Sequence, residues 1–349
     1  MIKTDHKKAV IFISSGLGDA LLLIPLVKLM KERGYQVTGM VTSPFPCEQL
    51  FEDTGLFEQL IIARSKVHLL KYVLKHRRRF QLAILNYFSA GRSTLLAAKQ
   101  LSPLVHTNRL PDTLGKNTLS GVLYIQPEQG IHDAVQNMML AGEGIKECNE
   151  SMLSLDMPLR HTLDLPENYI VLQISAANNK QTYKNWPLKY WIRFLQLCKQ
   201  QLPSLSFVLL GDKTETDLAD ELMQAGIGNV KNLAGKTSVM QAMEVIGRSR
   251  LFVGLDGGLM HAAVVLGKPT FSLWGPSSPA LYGYEKMIPD KHRVISLYLA
   301  CAPCSAWIKP NTSRVNDPER CPDHKCLQEL KAEQVFGEFS IFVKKHALI

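Results

Sequence analysis

The chain has 349 residues, 46% of them apolar and 20% charged, with 40 Lys+Arg set against 31 Asp+Glu for a formal net charge of +9. That length exceeds one ordinary domain and suits two, each with its own core. The composition excludes a disordered chain, 23 Gly with 18 Pro exclude a collagen-like repeat, and no apolar run approaches the roughly 18 residues of a membrane span.

Two stretches repeat one theme: a short β-branched run, a turn, then a helical period. In the first half, residues 9–14 (AVIFIS) lead into the turn Ser15-Gly16-Leu17-Gly18 and a helix from Asp19 to Arg33, with Gly34 as its stop. Pro25, one and a half turns in, predicts a bend near the start of that helix. Strands are expected at 35–41, near 59–62 and at 80–87. In the second half, strand 169–175 precedes a helix over 187–201, and further strands are expected at 206–211, 229–234, 250–256 and 269–275. Continuous apolar strands alternating with helices indicate parallel sheets covered on both faces, hence an α/β chain of two Rossmann-like domains. His161, Asp164 and Pro166 interrupt the pattern, so domains of residues 1–162 and 163–330 are expected. Residues 331–349 read as an amphipathic helix expected to pack back on the first domain. The start MIKTDHKKAVIFIS carries too short an apolar stretch before Ser14 for a secretory leader, and a cytoplasmic protein is expected.

Arg64, Lys66, Lys71, Lys75, Arg77, Arg78 and Arg79 concentrate positive charge in one short stretch. A nucleic acid, an anionic substrate, an anionic membrane face or a solvated helix end would each account for it. Nothing resembles a nucleic-acid module. Of seven cysteines, Cys47, Cys148 and Cys198 are scattered and read as buried. Cys301, Cys304, Cys321 and Cys326 form a C-x2-C-x16-C-x4-C pattern near the C-terminal end. Four thiolates at that spacing suit a tetrahedral structural Zn or Fe; four reduced, packed thiols are the plainer reading.

In open parallel sheets ligands sit at the carboxyl ends of the strands, so the turns after strands carry the candidate chemistry. The first turn, Ser15-Gly16-Leu17-Gly18-Asp19, is a partial glycine fingerprint in which Leu21 occupies the third glycine position. Asp19 is placed either to cap the helix or to take a proton from a bound hydroxyl. The second, Lys180 to Pro187, sets Lys184 beside a helix N-terminus, where a phosphate or bare solvent are the alternatives. In the third, Gly254-Leu255-Asp256-Gly257-Gly258-Leu259-Met260-His261, two glycines let a diphosphate approach a helix N-terminus. Asp256 would order that loop, and His261 faces either ligand or core.

Taken together, GDALLLIPLVKLMKERG (18–34), KNWP (184–187), LLGDKTE (209–215), the run 232–279 and the closing CAPC…C…CL resemble glycosyltransferase family 9, the ADP-heptose:lipopolysaccharide heptosyltransferases. The likeness touches both halves in the right order. It implies a GT-B fold with the nucleotide-sugar donor on the C-terminal domain. It also implies inverting, metal-independent transfer to the lipopolysaccharide inner core at the cytoplasmic face of the inner membrane. On that resemblance Asp19, after Gly18, is the general base and Lys184 offsets charge on the departing diphosphate. Ser175, Glu215, Asp256, Gly257, Gly258 and His261 are donor-binding, with Glu215 on the ribose hydroxyls. Gly18, Arg77 and Arg78 are assigned to the anionic acceptor. The sequence departs from the family at Gly257, where a hydroxyl residue is usual, and at Ile174-Ser175-Ala176-Ala177. No cofactor is expected for the chemistry. The alternatives are transfer to another acceptor such as an autotransporter protein, another nucleotide sugar, or an inactive GT-B scaffold. A Rossmann dehydrogenase is disfavoured by the incomplete glycine fingerprint and by the absence of an acidic residue ending strand 35–41.

Overall fold

The computed structural model describes residues 7–111, 120–158, 160, 163–176, 182–308, 315 and 317–347. Its packing divides the chain into two units, Met1–Pro158 and Leu159–Ile349.

The first unit is built on a six-stranded sheet of β1 (Lys7–Ile13), β2 (Tyr35–Val41), β3 (Gln59–Ile62), β4 (Leu82–Leu85), β5 (Leu104–Thr107) and β6 (Val122–Tyr124). The strand order is β3-β2-β1-β4-β5-β6 and every pairing is parallel. The chain therefore reverses direction across the sheet between β1 and β4, which opens a crevice at their carboxyl ends. The turn after β1 uses Gly16 as helix N-cap and starts the helix Leu17–Leu21. That helix breaks at Leu22 and resumes as Ile24–Glu32 with Pro25 in its first turn, the bend the proline predicts. The interruption frees the Leu22 carbonyl, and Asn137 Nδ2 donates to it at 3.2 Å from the buried helix Asp133–Met139. Gly34 then ends the segment in a left-handed conformation, φ +80°.

The second unit repeats this design with β7 (Ile170–Leu172), β8 (Phe207–Leu209), β9 (Val230–Asn232), β10 (Leu251–Leu255), β11 (Thr270–Leu273) and β12 (His292–Ile295). Its order, β12-β11-β10-β7-β8-β9, is the first sheet's order when counted within this half. All pairings are again parallel, and its reversal lies between β7 and β10. Strands β5, β6 and β12 escape the sequence pattern: two are edge strands, and all carry only three or four residues, too few to show a period.

The expectation for residues 331–349 is corrected. The helix Ala332–Lys345 buries Val335, Phe336, Phe339, Phe342 and Val343 in the core of the second unit. Phe339 meets the ring of Phe194, on the helix Leu188–Gln201, at 5.1 Å between centroids and that of Phe271 on β11 at 5.4 Å. Aromatic edges matched in this way hold the helix to the half it follows in sequence.

Candidate functional site

The second unit gathers most of the expected donor residues around its reversal point. KNWP divides the labour among its four members. Lys184 Nζ lies 2.8 Å from Asp256 Oδ2, an ion pair reaching from the turn after β7 to the turn after β10. Asn185 stitches the β7 loop: its Oδ1 accepts from the Ala176 amide at 3.0 Å and its Nδ2 donates to Ser175 Oγ at 3.2 Å. Trp186 is buried, donates Nε1–H to the Leu330 carbonyl at 2.7 Å and packs edge-on against Trp191 at 4.8 Å. Pro187 takes the N-cap of the next helix. One tetrapeptide thus carries a cation to the site and anchors it to the core. Lys180 and Gln181 lie outside the described residues.

Burial works against a charge on Asp256. Lys184, by charge and by hydrogen bond, nevertheless holds the carboxyl below its usual range. Gly257, rather than Asp256, is the N-cap of the helix Gly258–Val265, and it has no side chain to occupy the first amides. Those amides and the helix dipole favour an anion there. His261 turns to the core: Nδ1 lies 2.8 Å from the Tyr284 hydroxyl, and burial pushes the imidazole down to about 4. It is neutral at physiological pH. Sequence reading left ligand and core open for His261, with the resemblance assigning it to the donor; the structure gives its Nδ1 a buried partner in Tyr284.

Ser175 and Glu215 meet although 40 positions apart. Glu215 closes the turn after β8, where its Oε2 accepts the Asp212 amide at 2.9 Å. Burial pushes its carboxyl up to about 7; the hydrogen bonds from the Asp212 amide and the Ser175 hydroxyl oppose this, and the Asp212 charge adds to it. A buried carboxyl half-protonated near neutral pH can either accept or donate a hydrogen bond to a hydroxyl. Sequence reading missed Gln173, a buried residue at the end of β7. A Cβ placed on Gly257 would lie 3.3 Å from its Nε2, and its Oε1 has no hydrogen-bond partner. A glutamine closing an apolar strand was the available signal.

In the first unit Gly18 and Asp19 occupy the helical turn after β1, half-buried at that sheet's reversal point. Two other turns at the carboxyl edge hold Asn86, whose Oδ1 accepts the Ser89 amide at 3.0 Å, and Asn108. Asn108 follows β5, is buried, and has neither amide atom hydrogen-bonded. Arg77 and Arg78 are exposed in the turn following the helix Lys66–Lys75, away from these strand ends in sequence. Arg64 is removed from the free basic cluster, since its Nη2 pairs with the buried Glu48 at 2.5 Å.

Cys47, Cys148 and Cys198 are buried, and burial raises all three thiols. Cys301, Cys304, Cys321 and Cys326 line one cavity beside Pro276. The Cys326 thiol is pushed up to about 12 by burial and then by its three cysteine neighbours. By chemistry these four sulfurs suit a soft cation. Among the described residues, no three His, Cys, Asp or Glu side chains are set as ligands to one ion.

The profile of glycosyltransferase family 9 (heptosyltransferase) matches residues 138–312. Lipooligosaccharide heptosyltransferase 2 of Haemophilus influenzae is 30% identical over 118 residues, 33% of each chain. Lipopolysaccharide heptosyltransferase 2 of Escherichia coli K12 is 33% identical over 161 residues, 45% of this chain and 41% of that one. These matches span about a third to two-fifths of the relatives' lengths. The solved E. coli ADP-heptose lps heptosyltransferase II superposes with a TM-score of 0.69 at 20% identity, covering 98% of this chain and 99% of that one. The doubled sheets are therefore those of the GT-B fold. With half its length matched by the family profile, through Lys184, Glu215 and the Asp256–His261 turn, the chain belongs to glycosyltransferase family 9.

Proposed function

We propose that the protein is an inverting glycosyltransferase that moves heptose from ADP-heptose to the inner core of lipopolysaccharide, working peripherally at the cytoplasmic face of the inner membrane. The observation that carries this reading is the Lys184–Asp256 pair, 2.8 Å apart, beside the uncapped amides of the helix Gly258–Val265. That seat offers a diphosphate a lysine ammonium oriented by Asp256 and the bare amides of a helix N-terminus. Ser175, on the β7 loop, and Glu215, on the neighbouring turn after β8, suit the donor's ribose hydroxyls. As the anomeric bond breaks, charge grows on the diphosphate, and Lys184 with the amides of Gly257 and Gly258 would stabilise it without reorganising. Asp19 would take the proton of the acceptor hydroxyl as that oxygen attacks the anomeric carbon from the opposite face. General-base help of this kind contributes about 10²–10⁴-fold.

The four cysteines are assigned a structural part, holding the segment after β12 against the Pro276 loop, and no chemical step passes through them. The curated relatives carry heptosyltransferase names, and the donor class is proposed here on that kinship together with the diphosphate seat. The test is transfer itself. The protein is incubated with ADP-heptose, and separately with a panel of other nucleotide sugars, in the presence of heptose-deficient lipopolysaccharide core. Product and released ADP are then measured. Asp19→Ala should bind donor normally and lose about 10²–10⁴-fold in transfer. Transfer at the wild-type rate in that variant would remove Asp19 from the mechanism.

A further inference from the structure

The net positive charge of this protein is confined to one part of it. Residues 59–111 contain ten Lys+Arg and no Asp or Glu, leaving thirty cations against thirty-one acids in all the rest. Within that segment the helix Lys66–Lys75 turns Leu69 and Val73 into the core. It leaves Val67 59%, Leu70 58% and Leu74 64% exposed. Their spacing of three and four residues stacks them in one stripe on the outer face. Lys71 and Lys75 run along one side of the stripe and Lys66 lies on the other; all three are exposed. The helix ends in a turn of three exposed arginines. Arg78 sits there at φ +56°, with its amide donating to the Gln100 carbonyl at 2.9 Å, and Arg77 Nη2 reaches Gln100 Oε1 at 2.6 Å. The turn is thereby fixed to the helix Arg92–Leu101, which adds exposed Leu96 and Arg92. Among the described residues, no carboxylate pairs with Lys66, Lys71, Lys75, Arg77, Arg78 or Arg79.

We propose that the helix Lys66–Lys75 and the arginine turn after it form a docking surface for an anionic lipid bilayer, with Val67, Leu70 and Leu74 entering the headgroup layer. The stripe and its cations have the two-part chemistry of an interfacial helix: apolar side chains for the acyl boundary, flanked by cations that reach the phosphates. The other occupants fit less well. A second copy would bring one cationic face against another. A nucleic acid would satisfy the cations and leave three large apolar side chains in water. The proposal gives a surface to the membrane-side reading above and stands apart from the sugar chemistry.

The test needs neither donor nor acceptor, so its outcome is separate from that of the transfer assay. The full chain is mixed with vesicles of phosphatidylcholine alone or with about one-third phosphatidylglycerol, and bound protein is measured by sedimentation. Binding to the anionic vesicles only, weakening with salt, is expected. Lys71→Gln/Lys75→Gln should lower partition roughly thirtyfold. Leu70→Ser/Leu74→Ser should lower it tenfold or more while changing no charge. Both pairs are exposed, so an unchanged far-UV spectrum and melting temperature are expected. Leu74→Trp should give a blue-shifted emission on anionic vesicles. Equal binding by the Leu70/Leu74 variant, absence of a shift for Leu74→Trp, or no vesicle binding by the wild type would each overturn the proposal. So would a dimer in solution that the Leu70/Leu74 variant dissociates.

Discussion

Lys184 and Asp256 are 72 positions apart in sequence and 2.8 Å apart in space, the first in the turn that leads into the helix Leu188–Gln201 and the second directly after β10. The pair is costly to break because Asp256 is buried. Lys184→Met leaves a carboxylate without its counter-charge, and a loss of the order of 3 kcal/mol is expected in urea unfolding. Lys184→Met/Asp256→Asn should recover most of that stability and none of the donor affinity. If the single variant binds ADP as the wild type does, the lysine does not serve the diphosphate.

The acid response has a definite sign. His261 and His292 are buried and pushed down, to about 4 and about 3. As pH falls below 6.5 the unfolded chain takes up their protons and the native chain does not. Their contribution is whole above pH 6.5 and drains away by about 1.4 kcal/mol per pH unit for each. Glu215 acts in the opposite direction, since its carboxyl is raised to about 7. Its contribution is whole below about pH 4.5 and is lost as pH rises through 7. Between pH 4.5 and 6.5 it therefore cancels one of the two histidines. Glu215→Gln should steepen the rise of stability with pH in that window by about 1.4 kcal/mol per unit, and His261→Gln should flatten it by as much. Urea midpoints at pH 5.0, 5.5, 6.0 and 6.5 read both slopes; parallel curves for wild type and Glu215→Gln would mean that Glu215 titrates normally.

What the sequence made legible follows from how local each signal is. The long buried strands β1, β2 and β10 announce themselves as apolar runs, and Gly34 and Pro25 mark a helix end and a bend through backbone chemistry alone. The turns after β1, β7 and β10 were readable because glycine, lysine and aspartate there break an apolar pattern. Pairing was not readable: that Ser175 reaches Glu215, and that His261 seeks Tyr284 in the core, depend on strand order across the sheet. The closing helix deceived for the same reason. Its apolar face is plain from Val335 to Val343, but only the rings of Phe194 and Phe271 say which half it covers.

Gly257 stands where the family resemblance expects a hydroxyl residue. Its φ of −175° is extended backbone that any residue adopts, so conformation does not demand glycine. A Cβ would come within 3.3 Å of Gln173 Nε2, a contact that a few tenths of an ångström at the amide would relieve. Gly257→Ser is thus expected to change stability by less than about 1 kcal/mol. It should also tighten ADP binding by roughly tenfold if its hydroxyl reaches a phosphate oxygen. Calorimetric titration decides this, and a weaker affinity with unchanged stability would mean that the space belongs to Gln173 and the ligand together.

The cysteine cavity sits against a functional loop. The amides of Cys304 and Ser305 both donate to the Pro276 carbonyl, at 2.9 and 2.8 Å, one residue before the buried Ser277. The Cys326 thiol resists becoming a thiolate, first because it is buried and then because its charge would face Cys304, Cys321 and Cys301. A divalent cation reverses that balance by pairing with them. Under reducing conditions, zinc added to chelator-treated protein is expected to bind at one equivalent, drawing together sulfurs of which no three, among the described residues, are set as ligands as they stand, and to raise the melting temperature. Zinc should also sharpen ADP binding, through the Pro276–Ser277 segment. Cys301→Ser/Cys326→Ser should abolish both effects while leaving the metal-free melting temperature nearly unchanged. A wild-type protein that takes up no zinc, or melts at the same temperature with and without it, would make these four residues packed thiols and nothing more.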